Sequence, residues 1–333
     1  MKYYPILLSK AGELTALKQL TPNVKAETAP VIQVLEENFA NVEALLIAQW
    51  DFQDNSVLLD FSLLDTNTYL VQIENLLRNC LNANVNVVPI VQTNSRSSYL
   101  NLIATLHNTL GVQVCIRTSS FSGGFLNYNI EVGTLVSVIG ANLSNVFLLF
   151  DFGYLNAANY NAVLAQANGV ISGITNANSY NDIIVASGSF PENLGPYAAN
   201  ALHLLNRFEW DLWLQLLQLG IPIKYSDYGT KHPISSPAGF LGSCSIKYSN
   251  AKQFVIYRGE VSNNHPLGNG QYIQFAKQLV ASLYYSGIGF SWGDGKIDAM
   301  AAQAVQPPHR PGNAKTWVEI SQNHHITLLE SLL

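Results

Sequence analysis

Eight short apolar runs, each followed by a stretch suited to a helix, recur between Tyr4 and Tyr225, and few folds accept that rhythm. The runs are Tyr4–Leu8, Pro30–Leu35, Val57–Phe61, Val87–Val91, Val112–Arg117, Val146–Phe150, Ile183–Ser187 and Ile223–Tyr225. They are rich in Val, Ile and Phe and mostly apolar at successive positions. A half-exposed strand would alternate, so these read as parallel strands covered on both faces. Between them Glu13–Leu20, Tyr69–Leu81, Tyr99–Leu110, Tyr160–Ile171 and Phe208–Leu219 repeat apolar residues every three or four positions, the helical period. Gly111 and Gly220 stand where two of these helices would stop. The pattern predicts an α/β fold, a (β/α)8 barrel. A doubly wound open sheet is the alternative, but no GxGxxG or P-loop follows the first strand.

After Tyr225 the rhythm changes. Ser243–Tyr248 and Gln253–Arg258 flank the turn-rich Ser249-Asn250-Ala251-Lys252 and predict a β-hairpin. Tyr272–Tyr285 predicts a helix, and Pro307-Pro308 with Pro311-Gly312 an irregular arm. The expectation is one domain over 1–333, with barrel units in 1–228 and a C-terminal decoration in 229–333.

Composition bounds the partners. The net charge is −5, which argues against a general nucleic-acid binder. The three cysteines, Cys80, Cys115 and Cys244, form no CxxC pair and point to a reducing compartment, with Cys115 as buried filler. The N-terminal apolar stretch is too short for a signal peptide, and no window approaches the ~18 apolar residues of a membrane span. A cytoplasmic protein without membrane contact is expected.

Charged residues make up only 12% of the chain, so charges at strand exits are informative. Those exits carry Lys10, Glu36, Asp60, Gln92, Arg117, Asp151, Ser187 and Asp227. In barrels, sites gather at these ends. Asp60 and Asp151 each follow an unbroken apolar run. They would act as an acid and base pair, or hold a divalent cation such as magnesium with Glu36 or Asp227. Arg117, Lys10 and Arg258 suit a phosphate or carboxylate, and the loop Thr118–Gly124 could cradle an anion. An ion pair from Arg117 to Asp151 or Asp60 inside the barrel is the structural alternative. His232 and His325 are candidate proton shuttles. If His324 and His325 lie in an extended segment, only one of them faces a site. Trp210 and Trp213 read as core, and Arg207 and Glu209 as surface or capping groups. Ser187 and Ser189 do not form a G-x-S-x-G elbow.

Several segments together resemble the beta-protein family. They are Tyr4-Pro5-Ile6-Leu7 with Lys10 and Gly12-Glu13, Trp50-Asp51-Phe52, Ser189-Phe190-Pro191, and Tyr225-Ser226-Asp227-Tyr228-Gly229 with His232-Pro233. Tyr257-Arg258-Gly259, Phe290-Ser291-Trp292-Gly293-Asp294 and Asn323-His324-His325-Ile326 complete the set. The resemblance spans nearly the whole chain. It implies a phage, mobile-element or bacterial defence setting and no particular reaction. Tyr228 joins Lys10, Glu36, Arg117, Ser187 and Arg258 as an expected ligand-binding residue. Two functions stay open. One is a binding or accessory component with a polar pocket at the strand ends, taking a protein partner or a small phosphorylated ligand and compatible with a homo-oligomer. The other is a metal-assisted or acid/base hydrolase of a phosphoester or glycosidic bond.

Overall fold

The apolar runs do form strands, and they close on themselves. The computed structural model describes residues 2–49, 51–52, 55–119, 125–234 and 242–333. The strands are β1 (Tyr3–Leu8), β2 (Val31–Gln33), β3 (Val57–Asp60), β4 (Val87–Val91), β5 (Val114–Ser119), β6 (Val146–Tyr154), β7 (Asp182–Gly188), β8 (Ala201–Asn206), β9 (Ile223–Asp227), β10 (Ile246–Ser249) and β11 (Gln253–Arg258). Strands β1 to β7 and β9 pair in that order into a closed barrel, β9 returning to β1, with every pairing parallel. The helices are α1 (Ala11–Lys18), α2 (Pro22–Ala26), α3 (Phe39–Gln49), α4 (Leu70–Asn82), α5 (Ser97–Leu110), α6 (Tyr128–Ile139), α7 (Tyr160–Ser172), α8 (Phe208–Leu216), α9 (Gln271–Val280), α10 (Trp292–Ala301) and α11 (Ala314–Leu332). Helices therefore alternate with strands as a (β/α)8 barrel requires. α5 ends on Gly111 at φ 70°, a left-handed stop that a side chain would resist. None of the described helices is long and apolar enough to cross a membrane.

The chain divides into two units. The first comprises Met1–Lys10, Ala26–Gly188 and Phe208–Tyr228 and holds the barrel. Its interior is packed by Ile6, Val31, Leu58, Val88, Cys115, Phe147, Leu149 and Ile184 among others, contributed by alternate residues of successive strands. The second comprises Ala11–Lys25, Ser189–Arg207 and Gly229–Leu333. The segment read as a C-terminal decoration is thus joined by two pieces from earlier in the chain.

In the second unit the expected hairpin forms as β10 and β11, and β8 adds antiparallel to β11 as a third strand. Nothing in the sequence reading anticipated β8. Its residues alternate between half-buried and exposed, so it lacks the buried apolar run that marks the barrel strands.

Three expectations need correction. The helix expected over Tyr272–Tyr285 ends at Val280. There Ser282 Oγ turns back to the Leu279 carbonyl, and the Ser286 N–H goes to the Tyr248 hydroxyl. The tail around His324 is not extended. It lies in α11, started by a capping box in which Asn313 accepts from the Thr316 N–H. Arg207 and Glu209 are both buried, not on the surface: Arg207 Nη1 donates to the Asn250 carbonyl and its guanidinium lies over Phe254. Trp210 and Trp213 are core residues as expected, edge-on to Tyr225.

Candidate functional site

The alternation that builds the barrel core also selects which strand-end residues face inward. Leu58 and Asp60, Cys115 and Arg117, and Leu149 and Asp151 are each two apart on one strand, and Leu58, Cys115 and Leu149 belong to the interior cluster. Asp60, Arg117 and Asp151 therefore converge above that core. Arg117 Nη1 donates to Asp60 Oδ2, and Arg117 Nη2 donates to Asp151 Oδ2 and to the Tyr228 hydroxyl at 2.9 Å. Tyr228 in turn donates to Asp151 Oδ2 at 2.6 Å.

The two remaining carboxylate oxygens are used as well. Asp60 Oδ1 accepts the Ser62 N–H at 2.9 Å, and Asp151 Oδ1 accepts the Gly153 N–H at 3.0 Å. Both are turns in which an aspartate accepts the amide two residues on. At Asp151 the turn needs Gly153 at φ 67°, where β6 also breaks register. Asp60 and Asp151 are both 0% exposed. Burial works against the Arg117 charge, but Tyr228, Asp151 and Asp60 hold its pKa well above the usual value. Burial and the neighbouring Asp151 likewise keep the Tyr228 hydroxyl protonated.

This arrangement favours the structural alternative for Arg117 over a catalytic pair. The guanidinium occupies the position between the carboxylates that a divalent cation would take. Among the described residues no three His, Cys, Asp or Glu side chains come together as a metal site.

The other expected residues do not join them. Asp227 lies on the outer face of β9 with Tyr225, and accepts from the Tyr3 and Tyr225 hydroxyls at 2.5 and 2.8 Å. Ser187 alternates with the inward Ala186 and also faces outward, although it is buried. Lys10 and Glu36 are exposed, and Glu36 accepts from the Tyr69 hydroxyl. Trp50 and Ser120–Gly124 of the expected anion loop lie outside the described residues.

His232, Arg258 and His325 belong to the second unit. His232 is held in a local turn with Ile234, and Arg258 Nε donates to the Leu194 carbonyl at 2.6 Å. His325 is 0% exposed, its Nδ1 2.9 Å from Ser249 Oγ. Because α11 is buried almost all round from Ile320 to Leu329, both histidines are inside; the expectation that only one of them faces a site rested on an extended segment, where the chain forms a helix.

A second polar network surrounds His324. Its Nδ1 lies 2.8 Å from Asp294 Oδ2, and its Nε2 lies 2.8 Å from the Ser249 carbonyl. Asp294 also accepts from the Tyr248 and Ser291 hydroxyls, each at 2.6 Å. The Tyr248 ring stacks on His324 at 3.7 Å. Burial pushes the Asp294 carboxyl up, but His324, Ser291 and Tyr248 together hold it below the usual carboxylate range.

A cleft opens at the strand ends of the barrel unit among the described residues. A cleft of about 200 Å³ is lined by Ser62, Leu64 and Thr66 after β3, and by Gln92, Ser95 and Arg96 after β4, with Ile90 at its base. Gln92 continues the inward alternation of Val88 and Ile90. Of these residues only Gln92 is among the strand-exit residues singled out by sequence. The signal for the rest was available: Ser62 follows Asp60 at the spacing of an aspartate turn, and Ser95 and Arg96 immediately precede a helix.

The model of the "Beta protein" family matches residues 3–329. No curated protein matches the chain. Among solved structures, the YdjI aldolase from Escherichia coli K12 is 8% identical with a TM-score of 0.34, covering 68% of this chain and 74% of that one. A protein described as a fructose-1,6-biphosphate aldolase from Coccidioides immitis is 11% identical with a TM-score of 0.33, covering 68% and 76%. The barrel assignment stands on the closed strand order.

Proposed function

The chain belongs to the Beta protein family, and on that footing we propose that it is a binding or accessory component that recognises a small polar ligand in the cleft at the ends of β3 and β4. The observation that carries this reading is the sealing of Asp60 and Asp151. A general acid or base must reach the reacting group, and these carboxylates have no exposed surface and no unused oxygen. The cleft beside them stays open, and its floor is rigid because Ser62, a lining residue, is hydrogen-bonded through its N–H to Asp60. A fixed floor under polar side chains is what a recognition pocket needs. In this reading the setting is a phage, a mobile element or a host defence.

The test is a thermal-shift screen of the whole chain against divalent cations, nucleotides, sugars and sugar phosphates, repeated with Gln92→Leu. A ligand at a hundred times its dissociation constant stabilises by about 2.7 kcal/mol, a shift of several degrees. The expected result is a ligand whose shift shrinks in the variant. If no ligand gives a shift that depends on Gln92, the cleft is not a recognition site.

A further inference from the structure

Three features of the cleft point to the same ligand chemistry. The first is Gln92. It is only 8% exposed and lines the cleft, yet among the described residues its carboxamide has no hydrogen-bonding partner. The two donor hydrogens of Gln92 are available to an acceptor entering the cleft.

The second is the start of α5. Its N-cap is Arg96, which makes no side-chain cap, and its first turn contains no acidic residue. Helix geometry leaves the first amides without intrahelical acceptors, and the helix dipole makes that end attractive to anions. Ser95 and Arg96, immediately before the helix, form one wall of the cleft.

The third is Arg96 itself. Its charge is already drawn to Asp65 at 3.5 Å, but both side chains are more than half exposed, and such surface pairs are weak. A bound oxyanion can therefore take the guanidinium from Asp65 at little cost. Bidentate pairing of a guanidinium with phosphate oxygens is among the stronger polar contacts available to a protein. The hydroxyls of Ser62 and Thr66 complete a lining of donors.

We propose that this cleft is an oxyanion site for the phosphate group of a small phosphorylated molecule, bound by Arg96, Gln92 and the first-turn amides of α5. The inference rests on the cleft reading of the preceding section and adds the ligand class. The formal charge explains why the phosphate sits at this wall. Two carboxylates against one guanidinium leave the buried Asp60–Arg117–Asp151 network at −1, so an anion is favoured at the Arg96 and helix side and not over the barrel centre. A volume of about 200 Å³ holds roughly seven waters at ~30 Å³ each, the bulk of a small phosphate ester and not of a dinucleotide.

The experiment is isothermal titration of the full chain, in phosphate-free buffer of low ionic strength, with inorganic phosphate, ribose 5-phosphate and ribose. The variants are Arg96→Ala, Gln92→Leu and, as a surface-charge control, Arg78→Ala. Line broadening of the 31P resonance gives a second measurement that does not depend on heat of binding.

Binding of ribose 5-phosphate, weakened about tenfold or more by Arg96→Ala and several-fold by Gln92→Leu but not by Arg78→Ala, is the expected result. Inorganic phosphate binding as tightly as the ester would support the oxyanion site and make free phosphate a sufficient ligand. Ribose binding that is sensitive to Gln92→Leu and indifferent to Arg96→Ala would overturn the oxyanion site and leave the cleft reading standing. Absence of binding by all three probes would also overturn it, and the wider screen then decides whether the cleft binds anything.

Discussion

Two of the buried polar networks among the described residues solve the same problem differently. In the barrel unit one guanidinium serves two carboxylates, and the excess negative charge is spread over Tyr228 and two backbone amides. In the second unit one carboxylate, Asp294, collects His324, Tyr248 and Ser291, and Ser291 Oγ in turn accepts the Asp294 N–H. Arg117 stays charged across the accessible pH range, so the cation at the centre of the barrel network is permanent. The Asp294 network depends on a carboxylate that acid can neutralise. The first is centred on a cation, and the second on a carboxylate whose bonds weaken in acid.

The largest expected effect is from Arg117→Met. It leaves two carboxylates buried without their cation and should cost about 3–5 kcal/mol, read from the midpoint of urea denaturation. Adding Asp60→Asn and Asp151→Asn to the same chain should recover most of that loss, since the penalty lies in the unpaired charge. A triple variant no more stable than Arg117→Met would mean that shape, not charge, holds this layer. Asp294→Asn comes next, at about 2 kcal/mol, because it weakens several bonds to one ionised acceptor at once. Tyr228→Phe should cost about 1 kcal/mol with the barrel fold intact by circular dichroism, as Arg117 still reaches Asp151. Smallest is Arg78→Ala, which removes an exposed pair to Glu74 one helical turn away and should change stability by less than about 0.5 kcal/mol.

The pH dependence sharpens the contrast. The folded state holds the Asp294 carboxyl below its ordinary range. Its contribution to stability is therefore complete above the unfolded value of about 4 and is lost as pH falls through the lower folded value. Thermal melts taken downward from pH 5 should show wild type losing stability faster than Asp294→Asn, so that the two curves approach one another in acid. Parallel curves over that window would remove Asp294 as the acid-sensitive element.

Much of the barrel was legible because it depends on local pattern. Parallel strands covered on both faces must be apolar throughout, and Val57-Leu58-Leu59 and Val146 to Phe150 announce themselves as such. β8 was missed because a strand at the edge of a small sheet carries no such run: Leu202 and Leu204 are exposed there. The histidines of α11 were misplaced for a related reason. A helix buried on nearly every side loses the polar stripe by which helical periodicity is recognised, and polar residues such as Gln322, Asn323 and His324 then look like loop.

For the candidate site, sequence pointed to Asp60, Arg117, Asp151 and Tyr228 and the structure brings those four together. It also pointed to Asp227 and Ser187, which the structure turns toward the helices. The difference is one residue of register. Side chains two apart share a face of a strand, so the facing of Asp227 follows once Tyr225 is seen to pack against Trp210 and Trp213. Apolar runs with no polar alternation cannot reveal which face is inside.

What the sequence determined by itself is the β/α order, the strand content, the helix stops at Gly111 and Gly220 and the polarity of the strand exits, since each depends on residues close along the chain. Only the tertiary structure decided that Arg117 would close on two carboxylates instead of opening to a ligand, and that Gln92 would be left without a partner at the edge of a cleft. Those outcomes depend on which strands become neighbours when the barrel closes. Asp60 and Asp151 are separated by three barrel strands' worth of sequence, and the free energy that pairs them through Arg117 exists only after the intervening core has excluded water.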